Sequence, residues 1–78
     1  MTATTRRLNG SAVRAFREIQ GIPLRELASR IEMDPGNMTR LEKGARQTSI
    51  PRMAQIADAL GVSLEAISYP THHGQVAA

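Results

Sequence analysis

Cysteine is absent from the 78 residues, and aromatic side chains are nearly so, with one Phe, one Tyr and no Trp. Without cysteine the chain has neither a disulfide framework nor a thiolate metal site. With two aromatic rings it has no platform on which unpaired bases can stack. These absences argue against a disulfide-stapled scaffold, a zinc finger and a module for single-stranded nucleic acid.

Long apolar runs are also missing. No segment has the length needed to cross a bilayer, and the first ten residues lack the apolar stretch of a secretory signal. We therefore expect a cytoplasmic protein without a membrane partner.

The residue types needed for catalysis do not form a recognisable set. No nucleophile–base pair, phosphate-binding loop or pair of carboxylates stands at a useful spacing, and the seven acids are scattered. His72 and His73 are adjacent but have no cysteine or acid nearby, which makes a poor set of metal ligands. We expect no enzyme activity, no cofactor and no metal.

Positive charge is what the sequence does carry. The net charge is +3, and nine of the ten basic residues are arginine. Arg40, Lys43, Arg46 and Arg52 fall within thirteen positions, whereas six of the seven acids lie elsewhere. Because a guanidinium offers a planar fork of donors to phosphates and guanine edges, the cluster favours a nucleic-acid partner.

Glycine and proline divide the chain into segments with helical periodicity. Helices are predicted over 11–20, from Pro23 to about residue 31, over 35–44 behind the N-cap Asp34, over 50–60 behind Ser49, and briefly after Ser63. The fold class predicted is all-α, with four to five helices in one domain over residues 11–69. Residues 1–10, with Arg6 and Arg7, are predicted to be a flexible basic arm, and residues 70–78 a flexible tail.

Two short helices joined by a three-residue turn are the elements of a helix-turn-helix, although the same arrangement occurs in proteins that do not bind DNA. The polar side of the third helix carries Asn37, Thr39, Arg40 and Lys43, and its one acid is Glu42. A surface of this kind suits a polyanion, so the segment favours double-stranded DNA.

The stretch from Gly21 to Ile67 resembles the phage repressor and Cro-type helix-turn-helix family, with its lambda-repressor-like fold. The matching residues are Ile22, Glu26-Leu27-Ala28, the run from Met38 to Gly44, Ser49-Ile50 and the run from Ile56 to Leu64. The resemblance implies a bacterial or phage-encoded transcriptional regulator, expected to be a repressor. It would bind an inverted repeat as a homodimer, with residues 35–43 in the major groove.

The same resemblance assigns roles to single residues. Gly36, Asn37 and Arg40 are expected to read base edges. Phosphate contacts are expected from Arg25, Thr39, Lys43, Arg46, Gln47 and Arg52. Arg17 and Glu42 match the family's internal ion pair, which joins the first helix to the recognition helix.

Four residues depart from the family pattern. Leu24 replaces a residue that is usually polar, Glu32 replaces the usual glycine of the turn, and Pro35-Gly36 opens the recognition helix with little side chain. The alternative that stays open is an antitoxin or another protein-interaction module on the same fold. For a homodimer, the interface is expected around Ile67, Tyr69 and Val76.

Overall fold

Four α-helices, one 3-10 turn and two strands follow one another within residues 3–73, which are the residues that this computed structural model describes, with side chains described for 5–71. In chain order they are β1 (Ala3–Leu8), α1 (Gly10–Ile19), α2 (Leu24–Arg30), α3 (Pro35–Glu42), α4 (Ile50–Leu60), the 3-10 turn (Leu64–Ile67) and β2 (Ser68–His73).

Helices α1, α3 and α4 begin at polar side-chain caps, whereas α2 begins after Pro23 without one. The side chain of Asp34 accepts the N–H of Asn37 at the start of α3, and Ser49 accepts the N–H of Arg52 at the start of α4. Gly61 ends α4 with a left-handed φ of 70°. Local sequence chemistry therefore accounts for most of these helix boundaries.

Apolar side chains from all four helices meet in one core, closed at one end by the 3-10 turn and by β1. The largest fully buried side chains are Val13, Leu27, Met38, Met53, Ile56 and Ile67. Ile19 and Ile50, by contrast, are 81% and 40% exposed. They are the last residue of α1 and the first of α4, where the helix end has left the packed region.

The terminal segments differ most from the expectation. β1 and β2 pair antiparallel, with Ala3 opposite His73 and Leu8 opposite Ser68. The all-α class is therefore only approximately right, because the described residues of the predicted arm and tail form two paired strands. The predicted fifth helix is a single 3-10 turn. This pairing joins residues more than 50 positions apart, which no local pattern reveals.

Pro70 lies inside β2 without breaking it, because of the register. The N–H and C=O of Leu8 bond to the side chain of Gln47, so they point away from β2. Leu8 and Ser68 are therefore a pair without mutual hydrogen bonds, and alternation makes Arg6 and Pro70 another. The nitrogen of Pro70 then faces the outer edge of the two-stranded ribbon formed by β1 and β2. Among the residues that the structure describes, no neighbouring strand lies there to accept a hydrogen bond from it.

Gly10 is where α1 and α3 approach most closely. A Cβ on Gly10 would lie 2.1 Å from the carbonyl oxygen of Leu41 and 2.6 Å from that of Glu42. Since both are backbone atoms, no side-chain rotation relieves the clash. Glycine is required here by space, a requirement that depends wholly on the packing of two helices distant in sequence.

Gly10→Ala is expected to lower the free energy of unfolding by about 1–3 kcal/mol, the usual cost of overpacking. Urea denaturation followed by far-UV circular dichroism measures it. Ser11→Ala, on the exposed neighbouring residue, is the control and should change stability by less than about 0.5 kcal/mol. Equal effects of the two substitutions would contradict the tight contact.

Candidate nucleic-acid interface

The start of α3 is an open, polar surface. Pro35 occupies the first turn, and Gly36 is exposed. A Cβ at Gly36 would lie 2.8 Å from Oδ2 of Asp34 and 3.9 Å from Nη1 of Arg40, which are the ends of flexible side chains. This end of the helix therefore presents backbone to any partner, with little steric barrier.

Asn37 brings two arginines together on that surface. Its Oδ1 accepts hydrogen bonds from Nη1 of Arg40 at 2.9 Å and from Nη1 of Arg46 at 3.0 Å. Arg40 is one turn further along α3, whereas Arg46 comes from the loop before α4. The side chain of Arg40 also lies back over Gly36. The three predicted base-reading residues are thus adjacent, and Arg46 joins them.

The charges of this face are not neutralised internally. Within the described residues the ion pairs are Arg14–Glu18, Arg17–Glu42 and Arg30–Glu26. None of them includes the exposed cations Arg25, Arg40, Lys43 and Arg46. Because Asn37 is neutral, the two guanidiniums that share it keep their full charge. Such a surface attracts an anion of two or more charges.

Thr39 and Lys43 lie on the side of α3 that faces α1. Thr39 Oγ1 donates to the carbonyl oxygen of Pro35 at 3.0 Å, while Lys43 is exposed just beyond the helix end. Both line an open concavity with Arg14 and the half-buried Leu24. Leu24 packs against the core, which accounts for an apolar residue at this position.

Two predicted phosphate contacts have internal partners instead. Gln47 Oε1 accepts the N–H of Leu8 at 2.9 Å, and its Nε2 donates to the C=O of Leu8 at 3.4 Å. Arg52 Nη1 donates to the carbonyl oxygen of Ile31 at 2.6 Å. Gln47 therefore anchors β1 to the loop after α3, and Arg52 caps the C-terminal end of α2.

Arg17 and Glu42 form a bidentate ion pair between α1 and α3. Nε lies 2.7 Å from Oε2 and Nη2 lies 3.0 Å from Oε1, while Nη1 donates to the carbonyl oxygen of Ile22 at 3.0 Å. The side chains are only 12% and 5% exposed. The hydrogen bonds to Glu42 raise the pKa of the Arg17 guanidinium above its usual value, although burial lowers it.

Glu32 adopts a left-handed backbone, with a φ of 53°, in the turn between α2 and α3. A side chain in this region costs about 1–2 kcal/mol relative to the ordinary helical region. The carboxylate borders the same concavity as Asp34, Arg46 and Arg52. Glu32, at a position where the family usually has glycine, therefore adds backbone strain to the turn and a negative charge beside the basic face.

Sequence reasoning missed the steric role of Gly10 and the anchoring role of Gln47. Neither carries a local signal, because each depends on a contact with residues more than 30 positions away. The structure describes the backbone of His72 and His73 in β2, but their side chains and Val76 lie outside the described residues. Within the described part, no three His, Asp or Glu side chains are grouped for a metal, and no helix is long and apolar enough to cross a membrane.

Residues 10–68 match a family model described as a helix-turn-helix domain. The chain belongs to this helix-turn-helix domain family. The helix-turn-helix predicted from the sequence is thereby confirmed. A comparison with curated proteins finds no match.

Solved structures of regulators share the fold. The clp gene regulator ClgR from Corynebacterium glutamicum is 39% identical with a TM-score of 0.70, over 72% of this chain and 60% of that one. The chain thus spans less than two thirds of that ClgR structure. The restriction-modification controller protein C.AhdI from Aeromonas hydrophila is 24% identical, with a TM-score of 0.70 over 73% and 86% of the chains. The biofilm master regulator SinR, in complex with DNA, is 22% identical, with a TM-score of 0.68 over 73% and 95%.

Glu42→Gln is expected to lower the free energy of unfolding by about 3 kcal/mol, because it leaves the Arg17 charge buried without its partner. Thermal and urea unfolding measure the loss. The double variant Arg17→Met/Glu42→Leu replaces the pair with apolar groups and should recover most of the stability. Wild-type stability in Glu42→Gln would contradict a desolvated ion pair.

Glu32→Gly is expected to raise the free energy of unfolding by about 0.5–1 kcal/mol. Relief of the left-handed strain outweighs the greater chain entropy of glycine in the unfolded state. Glu32→Gln removes the same charge but keeps the side chain, and should leave stability within about 0.5 kcal/mol of wild type. If both variants gained equally, charge rather than backbone strain would be responsible.

Proposed function

We propose that this protein is a sequence-specific regulator that binds double-stranded DNA and acts as a repressor, with α3 in the major groove. The observation that carries the proposal is the pair of guanidiniums, from Arg40 and Arg46, held on Asn37 at the open start of α3. A guanidinium presented on a helix fits the acceptors O6 and N7 of guanine, which lie side by side in that groove.

The proposal divides the roles by geometry. Arg40 reads a base edge, and Gly36 lets the backbone approach the groove. Asn37 has its oxygen already engaged by two arginines. It therefore acts more as the support that orients Arg40 than as an independent reader of adenine, which would need both its oxygen and its nitrogen.

Phosphate contacts, which set register without reading sequence, are assigned to the remaining cations of the basic face. Arg25 and Lys43 are exposed, Thr39 lies beside Lys43, and Arg46 extends the face into the loop. Arg52 and Gln47 are given bracing roles because their polar atoms bond to backbone within the domain.

A homodimer on an inverted repeat is part of the proposal, since one module of this size covers little DNA. The proposed interface does not include Ile67, because its side chain is completely buried in the core of the domain. Tyr69 is half exposed on β2 and stays available. The DNA in the SinR complex and the regulator role of ClgR support duplex DNA as the partner.

Selection from a random duplex library tests the proposal. We expect an inverted repeat, bound about 10³-fold or more tightly than scrambled DNA. Arg40→Ala should lose about 1–3 kcal/mol of discrimination at one base pair per half-site and keep the rest of the consensus. Asn37→Ala should weaken preference at that same base pair, because Arg40 loses its support.

Arg25→Ala is the matched control, since it removes one exposed charge that is assigned to phosphate. It should weaken binding to all sequences about equally and leave the consensus unchanged. A single half-site bound by one chain would overturn the homodimer. Binding that is blind to sequence would overturn the regulator itself and leave an antitoxin or interaction module as the better interpretation.

A further inference from the structure

Arg6 and Arg7 are neighbours in sequence, but the strand sends their side chains to opposite faces of the ribbon. Arg6 Nε donates to Ser68 Oγ at 2.8 Å and its Nη2 donates to Ser68 O at 3.4 Å. Within the described residues, the side chain of Arg7 has no hydrogen bond or ion pair and is exposed. One arginine stabilises the ribbon and the other is available to a ligand.

Arg7 borders an open concavity of about 270 Å³, where the ribbon meets the start of α1 and the end of α3. Lys43 and the half-exposed Tyr69 line the same concavity. Of the described residues there, Glu42 alone is acidic, and Arg17 engages both of its carboxylate oxygens. The charges of Arg7 and Lys43 therefore face this space without a counter-charge.

The position of Arg7 is fixed by its surroundings. It is paired with Tyr69 across the ribbon, and the next residue, Leu8, is buried and bonded through its backbone to Gln47. The cost of ordering this segment is therefore met when the domain folds, and none of it falls on ligand binding. A flexible arm would have to be ordered when DNA binds, and this would reduce the binding free energy.

We propose that Arg7 joins Lys43 in a phosphate-binding site, which extends the basic face of α3 to the ribbon and takes a backbone phosphate of duplex DNA. The inference rests on the proposed function. Lys43 directly follows α3, so a phosphate held there belongs to the DNA strand that borders the groove occupied by α3. Lys43 also borders the concavity lined by Thr39, which connects the site to the polar side of α3.

The test compares three variants that each remove one positive charge. Affinity of purified protein for duplex DNA is measured between roughly 50 and 200 mM salt, with the selected operator and with a duplex of random sequence. Arg7→Gln should reduce the slope of log affinity against log salt by about 0.9, the value for one lost phosphate contact. Arg6→Gln, on the opposite face, and Arg30→Gln, beside Glu26 and α4, should keep the wild-type slope.

A second test replaces single phosphates of the operator with uncharged methylphosphonates. It locates the contact on the DNA, which a change in the total charge of the protein cannot imitate. Neutralising one flanking phosphate per half-site should weaken operator binding by the wild-type protein and by the Arg6→Gln variant, but not by the Arg7→Gln variant. Circular dichroism checks that each variant is folded. The proposed site would be overturned if Arg7→Gln kept the wild-type salt slope, or if all three variants reduced that slope equally. If the wild-type protein showed no preference for the operator but Arg7→Gln still reduced the salt slope, the proposed regulator would be overturned and the phosphate site would stand.

Discussion

The buried ion pair between Arg17 and Glu42 is the interaction on which the candidate interface depends. One guanidinium joins α1, the carbonyl oxygen of Ile22 ahead of α2, and the last residue of α3. Near the other end of α1, the missing side chain of Gly10 lets the helix touch the backbone of α3. Contacts at two places along α1 limit the rotation of α3, and this sets the direction in which Asn37 and Arg40 point. Such a pair fixes orientation more than it adds stability.

Arginine serves two purposes in this domain, and the environment of each side chain decides which. Arg52 and Arg6 meet carbonyl or hydroxyl oxygens of distant segments and become internal supports. Arg40 and Arg46 meet only the neutral amide of Asn37, so their charges stay free. Because free charge is what a polyanion recognises, a count of basic residues overstates the binding surface.

The ribbon makes the ends of the described segment part of the domain. Leu8 and Ile67 enter the core, and Gln47 completes the hydrogen bonds of Leu8 on its outer side. A chain of 78 residues buries a modest core, so Leu8 of β1 adds to the apolar contact that holds the helices. The ribbon also carries Arg7 to the end of α3, where the proposed phosphate site lies.

The sequence by itself determined the helices and the family, because caps such as Asp34 and Ser49 and the apolar spacing act within a few residues. It also placed Gly36, Asn37 and Arg40 on one side of α3, since helical periodicity is local. Only the tertiary structure decided that residues 3–8 form a strand, that Pro70 fits its edge, and that Gln47 and Arg52 turn inward. Those outcomes depend on partners that lie 20 or more positions away, and no local preference encodes which partner will be within reach.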